Sequence, residues 1–308
     1  MTSDQHPKIS VVTPSYNQAP FIGWTVRSVL LQRYPNLEYI VMDGGSSDGT
    51  MSVLAPYRDR LAHLSHARDK GQSDAVSRGF ARSSGQIMCY LNSDDMLAPG
   101  ALAFVADFFA HNPDVDVVYS HRCTVDEDNI VRWYWLLPRH NNWFQSRWDL
   151  IPQETCFWRR RVFEKCGNID ASFRFALDYD LFVRFMRAKA KFVRVNRFLG
   201  VFREHDAAKT SQWMDTVGAK EISRVRERYA IKSGILDPIL GYRYYDSVIR
   251  RGSAFADKKG KLPGALPGVG YDYGALWGGL LDDPRLPPID PFGMMRQLTP
   301  NRLLNDSA

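Results

Sequence analysis

Two adjacent carboxylates follow an apolar segment in the first third of the sequence. Residues 87–91 (Ile-Met-Cys-Tyr-Leu) lead through Asn92 and Ser93 to the acids Asp94 and Asp95. A short apolar segment of this kind predicts a strand that is buried on both faces. Two acids at the end of such a strand repel each other and lose hydration, so a divalent cation is the simplest counter-charge. Mg²⁺ or Mn²⁺ fits, because hard cations prefer oxygen ligands and keep coordination positions open for phosphate.

The same acids also have a structural interpretation. Asp94 or Asp95 could cap a helix that starts near Pro99, in a solvated turn between strand and helix. The other polar segments of the chain have to decide between a metal site and a cap.

The surrounding sequence predicts the elements that would position these acids. Helical periodicity is clear in the stripe of Ile22, Val26, Val29 and Leu30. Short β-rich segments are expected over 9–13, 37–42, 61–65, 87–91 and 115–119. Strands that alternate with helices predict an α/β fold, with a Rossmann-like, mostly parallel sheet, helices on both faces and ligands at the carboxyl ends of the strands.

The pattern changes in the second half of the chain. The expected elements are a hairpin and long loop over 125–148, a basic helix over 159–166, a helix opened by residues 178–180, a strand over 192–202 and helices over about 210–231 and 239–250. Residues 260–293 contain eight Gly and six Pro, which excludes long regular elements there.

Composition limits the possible classes of protein. The 308 residues allow one large domain, or one domain with an appendage. We expect a cytoplasmic location, because the amino-terminal residues are polar and no apolar segment approaches the roughly 20 residues that span a bilayer. The net charge of +6 suits phosphate-bearing ligands or an anionic membrane surface. No basic block with interleaved aromatics indicates nucleic acid, and four cysteines without zinc spacing predict reduced, buried thiols.

Six motifs, in this order, resemble the signature of family 2 glycosyltransferases, which are inverting enzymes with the GT-A fold. They are residues 11–17 (Val-Val-Thr-Pro-Ser-Tyr-Asn), 43–50 (Asp-Gly-Gly-Ser-Ser-Asp-Gly-Thr), 69–71 (Asp-Lys-Gly), 91–95 (Leu-Asn-Ser-Asp-Asp), 178–180 (Asp-Tyr-Asp) and 203–205 (Arg-Glu-His). The resemblance covers roughly residues 8 to 212, and six motifs in order are far more specific than any one of them.

The resemblance implies a nucleotide-diphosphate sugar donor, with UDP the first expectation, and a divalent cation, Mn²⁺ or Mg²⁺. It implies a single displacement at the anomeric carbon by a hydroxyl of a glycan or lipid-linked acceptor, in cell-surface polysaccharide biosynthesis. We therefore predict a GT-A catalytic domain over residues 1–212 and a helical extension with a Gly/Pro-rich tail over residues 213–308.

By resemblance, the donor-binding residues come from three loops and the end of the fourth strand. They are Thr13, Pro14, Ser15 and Tyr16 around the nucleobase, Asp43 on a base N–H, Asp69 in the nucleoside site, Lys70 near phosphate and Asn92 on ribose or water. The Tyr16 ring would stack on the base. As alternatives, Tyr16 is an exposed loop aromatic, Asp43 stabilises the glycine-rich turn and Lys70 is solvated.

The metal ligands by resemblance are Asp94, Asp95 and His205. Many relatives have Asp-x-Asp where this chain has Asn92-Ser93-Asp94, so the metal role passes to Asp94. Asp95 is then a second ligand or a partner of the first.

The catalytic base must be a carboxylate that faces the sugar from the side opposite the phosphates. Relatives usually have Glu-Asp with the second acid as base, and here Leu177 replaces the Glu, which leaves Asp178 in register. Asp180 competes, but it points roughly 200° round the helix, so only one of the two acids faces the pocket. Either acid could instead support the helix dipole. Gln153 and Glu154 are expected on the acceptor side.

Other functional classes fit less well. A dehydrogenase would need Gly-x-Gly-x-x-Gly after the first strand, and a nucleotidyltransferase would need a basic glycine-rich loop there. The main alternative is a catalytically silent module that binds nucleotide sugars or glycans, because Asn92 and Leu177 depart from the family pattern. The basic residues 258–261 and the aromatic tail predict contact with an anionic bilayer.

Overall fold

The computed structural model describes residues 6–232 and 234. The strands are β1 (Ile9–Ser15), β2 (Leu37–Asp43), β3 (His63–His66), β4 (Ile87–Tyr90), β5 (Met96–Leu97), β6 (Val117–Val125), β7 (Val131–Trp135), β8 (Phe157–Arg159) and β9 (Phe192–Arg203). The helices are α1 (Ile22–Leu30), α2 (Thr50–Leu54), α3 (Gln72–Phe80), α4 (Ala101–His111), α5 (Asn142–Trp148), α6 (Arg160–Cys166), α7 (Leu177–Arg187), α8 (Lys209–Trp213) and α9 (Ala219–Arg228).

All of these strands belong to one sheet. Its order is β3-β2-β1-β4-β8-β6-β9-β5, and β7 pairs with β6 at one side. The first four strands in this order are parallel, as are β6 and β9. β8 runs antiparallel between β4 and β6. The predicted α/β fold is confirmed, with antiparallel pairs added in the second half.

The central strands are buried on both faces, as their continuous apolar sequences predict. Val12 and Met42 face a core that contains residues of α3, α6 and α7. Val11 and Val41, one position earlier on the same strands, face a second core that contains residues of α1 and α4. Alternate residues of a strand point to opposite faces, so each strand joins two hydrophobic layers. The sheet is therefore a rigid support for the loops at its carboxyl edge.

The structure corrects the prediction for residues 115–148. β6 is longer than the expected strand over 115–119, and its hairpin with β7 confirms the expected hairpin. The prediction of a long loop was wrong in part, because residues 142–148 form the helix α5. The Asn141 side chain accepts hydrogen bonds from the backbone N–H groups of Trp143 and Phe144, at 2.9 and 3.2 Å. This amino-terminal cap gives the short aromatic segment a helix start.

Neither acid of the pair after β4 caps the following helix. α4 begins at Ala101 after Gly100, whose φ of 74° lies in the left-handed region, and β5 lies between the acids and this helix. β5 pairs with β9, as Met96 stands opposite Val201. The pairing fixes the loop of Asp94 and Asp95 beside the strand that leads to His205.

The described carboxyl-terminal residues pack on α7. The Glu221 carboxylate of α9 accepts hydrogen bonds from the backbone N–H groups of Arg174, Phe175 and Ala176, at 2.8 to 3.1 Å. It thereby binds the turn that precedes α7. The division of domains at residue 212 stays a prediction.

Three predictions concern residues outside the described part of the chain: the helix over 239–250, the basic residues 258–261 and the tail over 260–293. Within residues 6–232, no helix has the length and apolar character that a bilayer crossing requires. The cytoplasmic location stays a prediction. All four cysteines are free thiols, three of them buried, as expected.

Candidate active site

The register of the parallel strands places the predicted donor-side loops next to one another. Ser15 at the end of β1 stands opposite Asp43 at the end of β2, and Asp43 stands opposite His66 at the end of β3. Parallel strands end at the same edge of a sheet, where ligands bind in open α/β folds. The loops after β1, β2 and β3 therefore form one side of a common cleft.

The side chains of Thr13 to Tyr16 differ in their accessibility to a ligand. Thr13 is buried and its hydroxyl is hydrogen-bonded to Tyr39 at 3.1 Å, and Pro14 is buried beside it. Ser15 Oγ is buried and has no hydrogen-bond partner within the described residues. The Tyr16 side chain is 63% exposed. The Tyr16 ring is thus the side chain of this segment that a nucleobase can contact, whereas Ser15 Oγ is enclosed.

Both oxygens of the Asp43 carboxylate already have hydrogen-bond partners, in its own loop and at His66. Its Oδ1 accepts hydrogen bonds from the N–H groups of Gly45 and Ser46, at 3.1 and 2.9 Å, and lies 2.6 Å from His66 Nδ1. Its Oδ2 accepts the Ser46 hydroxyl at 2.5 Å. These are the contacts of the turn-stabilising alternative, and the base contact of Asp43 stays a prediction.

Asp69 lies against the turn that Asp43 holds. A Cβ atom on Gly44 would stand 2.7 Å from Asp69 Oδ2, so only glycine allows this approach. Asp69 also accepts a hydrogen bond from Gly71 N–H at 2.8 Å, and burial raises its pKa. Lys70 is exposed beside it. The structure brings Asp43 and Asp69 together but leaves Lys70 at the surface.

The acids after β4 have different surroundings. Asp94 Oδ2 lies 3.1 Å from His205 Nε2, and the Asp94 side chain is 21% exposed. Asp95 is buried and accepts the backbone N–H of Arg203 at 3.1 Å and the Asn92 amide at 3.3 Å. Burial, with the Asp94 charge next in size, raises the pKa of Asp95 well above its usual range. Asp94 faces the cleft, whereas Asp95 faces the interior.

Arg203 holds this loop in place. Its guanidinium is buried and donates to the Asp94 backbone carbonyl at 2.9 Å and to Asn129 Oδ1 at 2.7 Å. The His205 ring packs on Phe21, with 4.6 Å between ring centroids. The Arg and His of one short motif therefore fix the backbone and the side chain of Asp94, respectively.

The Asp94–His205 pair fits two positions of an octahedral divalent ion. Ligands at about 2.1 Å from such an ion and at right angles to each other lie about 3 Å apart, close to the observed 3.1 Å. Within the described residues no cluster of three or more His, Cys, Asp or Glu side chains could enclose an ion by itself. The pair would hold Mn²⁺ or Mg²⁺ together with phosphate oxygens and water.

The structure separates Asp178 from Asp180. Asp180 is buried and its carboxylate contacts Arg184 at 2.8 Å, Arg228 at 3.2 Å and the Tyr229 hydroxyl at 3.0 Å. Asp178 is partly exposed and is hydrogen-bonded to the N–H of Tyr179 at 2.9 Å. The two acids face opposite sides of α7, as their spacing predicted.

Burial raises the pKa of Asp178 to about 6. The Tyr179 N–H and the Arg122 charge oppose this shift, while Glu154 adds to it. A carboxyl group with this pKa is largely ionised at neutral pH and can accept a proton. Asp178 is thus in a suitable state for a general base.

Gln153 and Glu154 are tied to neighbouring strands. Gln153 Nε2 donates to the Tyr90 carbonyl at 2.5 Å, and its Oε1 lies 3.4 Å from the Asn92 amide. Both Glu154 oxygens accept from Arg122, at 2.7 and 2.8 Å. Gln153 therefore contacts the Asn92 side chain. Glu154 forms an ion pair with Arg122, whose charge acts on Asp178. Direct contact of either with an acceptor stays a prediction.

Two titratable residues of the cleft were missed in the sequence. Asp149 has a left-handed backbone with φ of 44°, accepts a hydrogen bond from Gln145 at 2.9 Å, and has its pKa raised by burial and by Asp178. Lys209 lies beside Gln72 at 2.6 Å. Asp149 belongs to a segment expected to be loop, and Lys209 follows the last recognised motif, so neither carried a signal.

Comparison with known proteins identifies the family. The family model described as glycosyl transferase family 2 matches residues 10–167, which is just over half of the chain. The chain belongs to glycosyltransferase family 2 and is a glycosyltransferase. The Bacillus subtilis relative TuaG, named for teichuronic acid biosynthesis, is 38% identical over 92 residues, 29% of this chain and 36% of TuaG.

Solved structures of low sequence identity share the fold. The Pyrobaculum calidifontis mannosyltransferase PcManGT, in complex with GDP-Man and Mn²⁺, has a TM-score of 0.57 and 19% identity, over 89% of this chain and 79% of that one. S. aureus TarS 1-349, in complex with UDP-GlcNAc, has a TM-score of 0.56 and 16% identity, over 81% and 75%. These likenesses confirm the GT-A type of fold.

Proposed function

We propose that this protein is a metal-dependent inverting glycosyltransferase. It moves a sugar from a nucleotide-diphosphate donor, with UDP-sugars first, to a hydroxyl of a glycan or lipid-linked acceptor in cell-surface polysaccharide biosynthesis. The complexes of structural neighbours with UDP-GlcNAc and with GDP-Man and Mn²⁺ support the donor class and the metal. TuaG, whose name places it in teichuronic acid biosynthesis, supports the pathway class.

The observation that supports the proposal is the placement of the two candidate acids, Asp94 and Asp178. Asp94 forms a ligand-like pair with His205 at 3.1 Å, and Asp178 is partly exposed with a pKa of about 6. The charge of Arg122 acts on both Asp95 and Asp178, so the two sides of the cleft lie within electrostatic reach of one guanidinium. This shared influence supports a donor that extends from the pair towards Asp178.

The residues then divide the reaction between them. Asp178 accepts the proton of the acceptor hydroxyl as its oxygen bonds to the anomeric carbon. The bond from that carbon to the phosphate oxygen breaks at the same time, and its electron pair stays on the nucleotide diphosphate. A divalent ion held by Asp94 and His205 would supply charge neutralisation at that phosphate. A single displacement from the opposite side inverts the anomeric configuration.

The test is a donor and acceptor screen followed by proton NMR. UDP-sugars and GDP-sugars are incubated with Mn²⁺ and short glycan acceptors, and the released nucleotide and the anomeric configuration of the product are followed. We expect Mn²⁺-dependent release and an inverted product from the wild-type protein, and nucleotide binding without turnover from Asp178→Asn. Nucleotide binding without turnover in the wild type, across donors and acceptors, would support the silent binding module instead.

A further inference from the structure

Among residues 6–232, no acidic side chain forms an ion pair with Lys209. Lys209 starts α8, four positions after His205, and its Nζ donates to Gln72 Oε1 at 2.6 Å and to the Arg174 carbonyl at 3.4 Å. The Trp213 ring lies 5.4 Å from the same atom. None of these partners carries a negative charge, so hydrogen bonds and the Trp213 ring hold the ammonium.

The Lys209 ammonium has lost water and interacts electrostatically with acids of two proposed donor-binding regions. Burial lowers the pKa of Lys209 to about 8, while the charges of Asp94 and Asp69 act to raise it. These two acids come from the proposed metal and nucleoside sides of the cleft. Lys209 is thus in electrostatic reach of both ends of a bound nucleotide diphosphate.

Gln72 fixes the direction of Lys209. Its Oε1 accepts from Lys209, and its Nε2 donates to Asn92 Oδ1 at 2.6 Å. Asn92 precedes Asp94 by two positions and in turn contacts Asp95. Both the oxygen and the nitrogen of the Gln72 amide therefore have hydrogen-bond partners. Gln72 links the Lys209 ammonium to Asn92, in the loop of Asp94.

We propose that Lys209 is the lysine that contacts the donor phosphates, rather than the exposed Lys70. Its ammonium pairs with the phosphate that bears the sugar and stabilises the negative charge left there when the bond to the anomeric carbon breaks. This role rests on the proposed function, because it needs a nucleotide-diphosphate donor in the cleft. The electron pair of the broken bond remains on the phosphate oxygen, and Lys209 keeps its proton.

Titration calorimetry with nucleotides that differ by one phosphate tests this role. UDP and UMP, with GDP and GMP in parallel, are titrated in the presence of Mn²⁺ into the wild type, Lys209→Met, Lys209→Arg and the matched control Lys70→Met. We expect Lys209→Met to weaken diphosphate binding by about tenfold or more and monophosphate binding by less than about twofold, because only the diphosphate has the paired charge. Lys209→Arg should retain most of the difference, and Lys70→Met should match the wild type.

Thermal unfolding of the ligand-free proteins separates this role from a structural one. Removing a desolvated ammonium should leave the melting temperature of Lys209→Met unchanged or higher, with the diphosphate preference lost. Three results would overturn the assignment of Lys209 and leave the glycosyltransferase proposal standing. They are an equal loss of affinity for UDP and UMP, a fall in melting temperature with the diphosphate preference intact, and unchanged nucleotide binding. A wild type that binds none of the four nucleotides would instead overturn both proposals.

Discussion

Two regions of the molecule each carry a pair of nearby acids, and the pairs divide their work in the same way. After β4, Asp94 faces the cleft while Asp95 accepts the backbone N–H of Arg203. At the start of α7, Asp178 is partly exposed while Asp180 is buried and contacts Arg184 and Arg228. In each region one acid maintains the fold and its neighbour remains available for chemistry.

The two structural acids differ in how their charge is compensated. Asp180 has two guanidinium groups and the Tyr229 hydroxyl within 3.2 Å. Within the described part of the chain, the direct partners of the Asp95 carboxylate are a backbone N–H and the Asn92 amide, and burial raises the pKa of Asp95 well above its usual range. Asp180 should therefore act as a charge in an ion pair, whereas Asp95 acts mainly as a hydrogen-bond acceptor.

The largest effect is expected from Asp178→Asn. The amide cannot accept the acceptor proton, so transfer should fall by about 10²- to 10⁴-fold while nucleotide affinity is unchanged. Steady-state rates and calorimetric titration of the variant measure both quantities. Near-normal transfer would show that the exposed acid of α7 is not the base.

Asp94→Ala should come next in size. It removes one of two proposed protein ligands, so Mn²⁺-dependent nucleotide affinity should fall by about tenfold or more, with metal-independent affinity unchanged. Calorimetry with and without Mn²⁺ gives the comparison. Equal affinity of variant and wild type in Mn²⁺ would remove the metal role from this acid.

The pH dependence of transfer should show the ionisation of Asp178. Burial raises its pKa to about 6, and only the ionised form accepts a proton. The rate should therefore rise with pH through about 6 and be about tenfold lower at pH 5 than at pH 7. Initial rates at saturating donor and Mn²⁺ measure this, and a flat profile over that range would contradict the assignment.

Asp180→Ala tests the other member of the α7 pair. It leaves Arg184 and Arg228 without their buried counter-charge, so the free energy of unfolding should fall by about 2–3 kcal/mol, below the range for a fully buried pair because Arg228 is partly exposed. Urea unfolding measures the loss, and nucleotide affinity of the folded variant should stay normal. An unchanged midpoint would show that this acid has no structural role.

Asp95→Asn should give the smallest change. The side-chain oxygen can still accept the Arg203 N–H, and only the long bond from the Asn92 amide is lost, so the free energy of unfolding should fall by about 1 kcal/mol or less. A loss of Mn²⁺-dependent nucleotide binding equal to that of Asp94→Ala would make Asp95 a metal ligand after all.

Sequence periodicity and motif order were enough to predict the parallel strands of the first half of the sheet, the edge where the candidate site residues lie and the opposite directions of Asp178 and Asp180. They could not predict that Asp95 faces inward, because this depends on β5 pairing with β9 far along the chain. Lys209 was missed for a similar reason. Its position depends on Gln72 of α3, and no local spacing relates the two residues.

The most direct test of the account is a crystal structure with UDP, or GDP, and Mn²⁺, with the ion located by its anomalous scattering. We predict one ion within about 2.3 Å of both Asp94 and His205 and in contact with the diphosphate, with the Asp178 carboxylate facing the sugar side of the nucleotide. An ion bound elsewhere, or a nucleotide whose sugar side points away from Asp178, would contradict it.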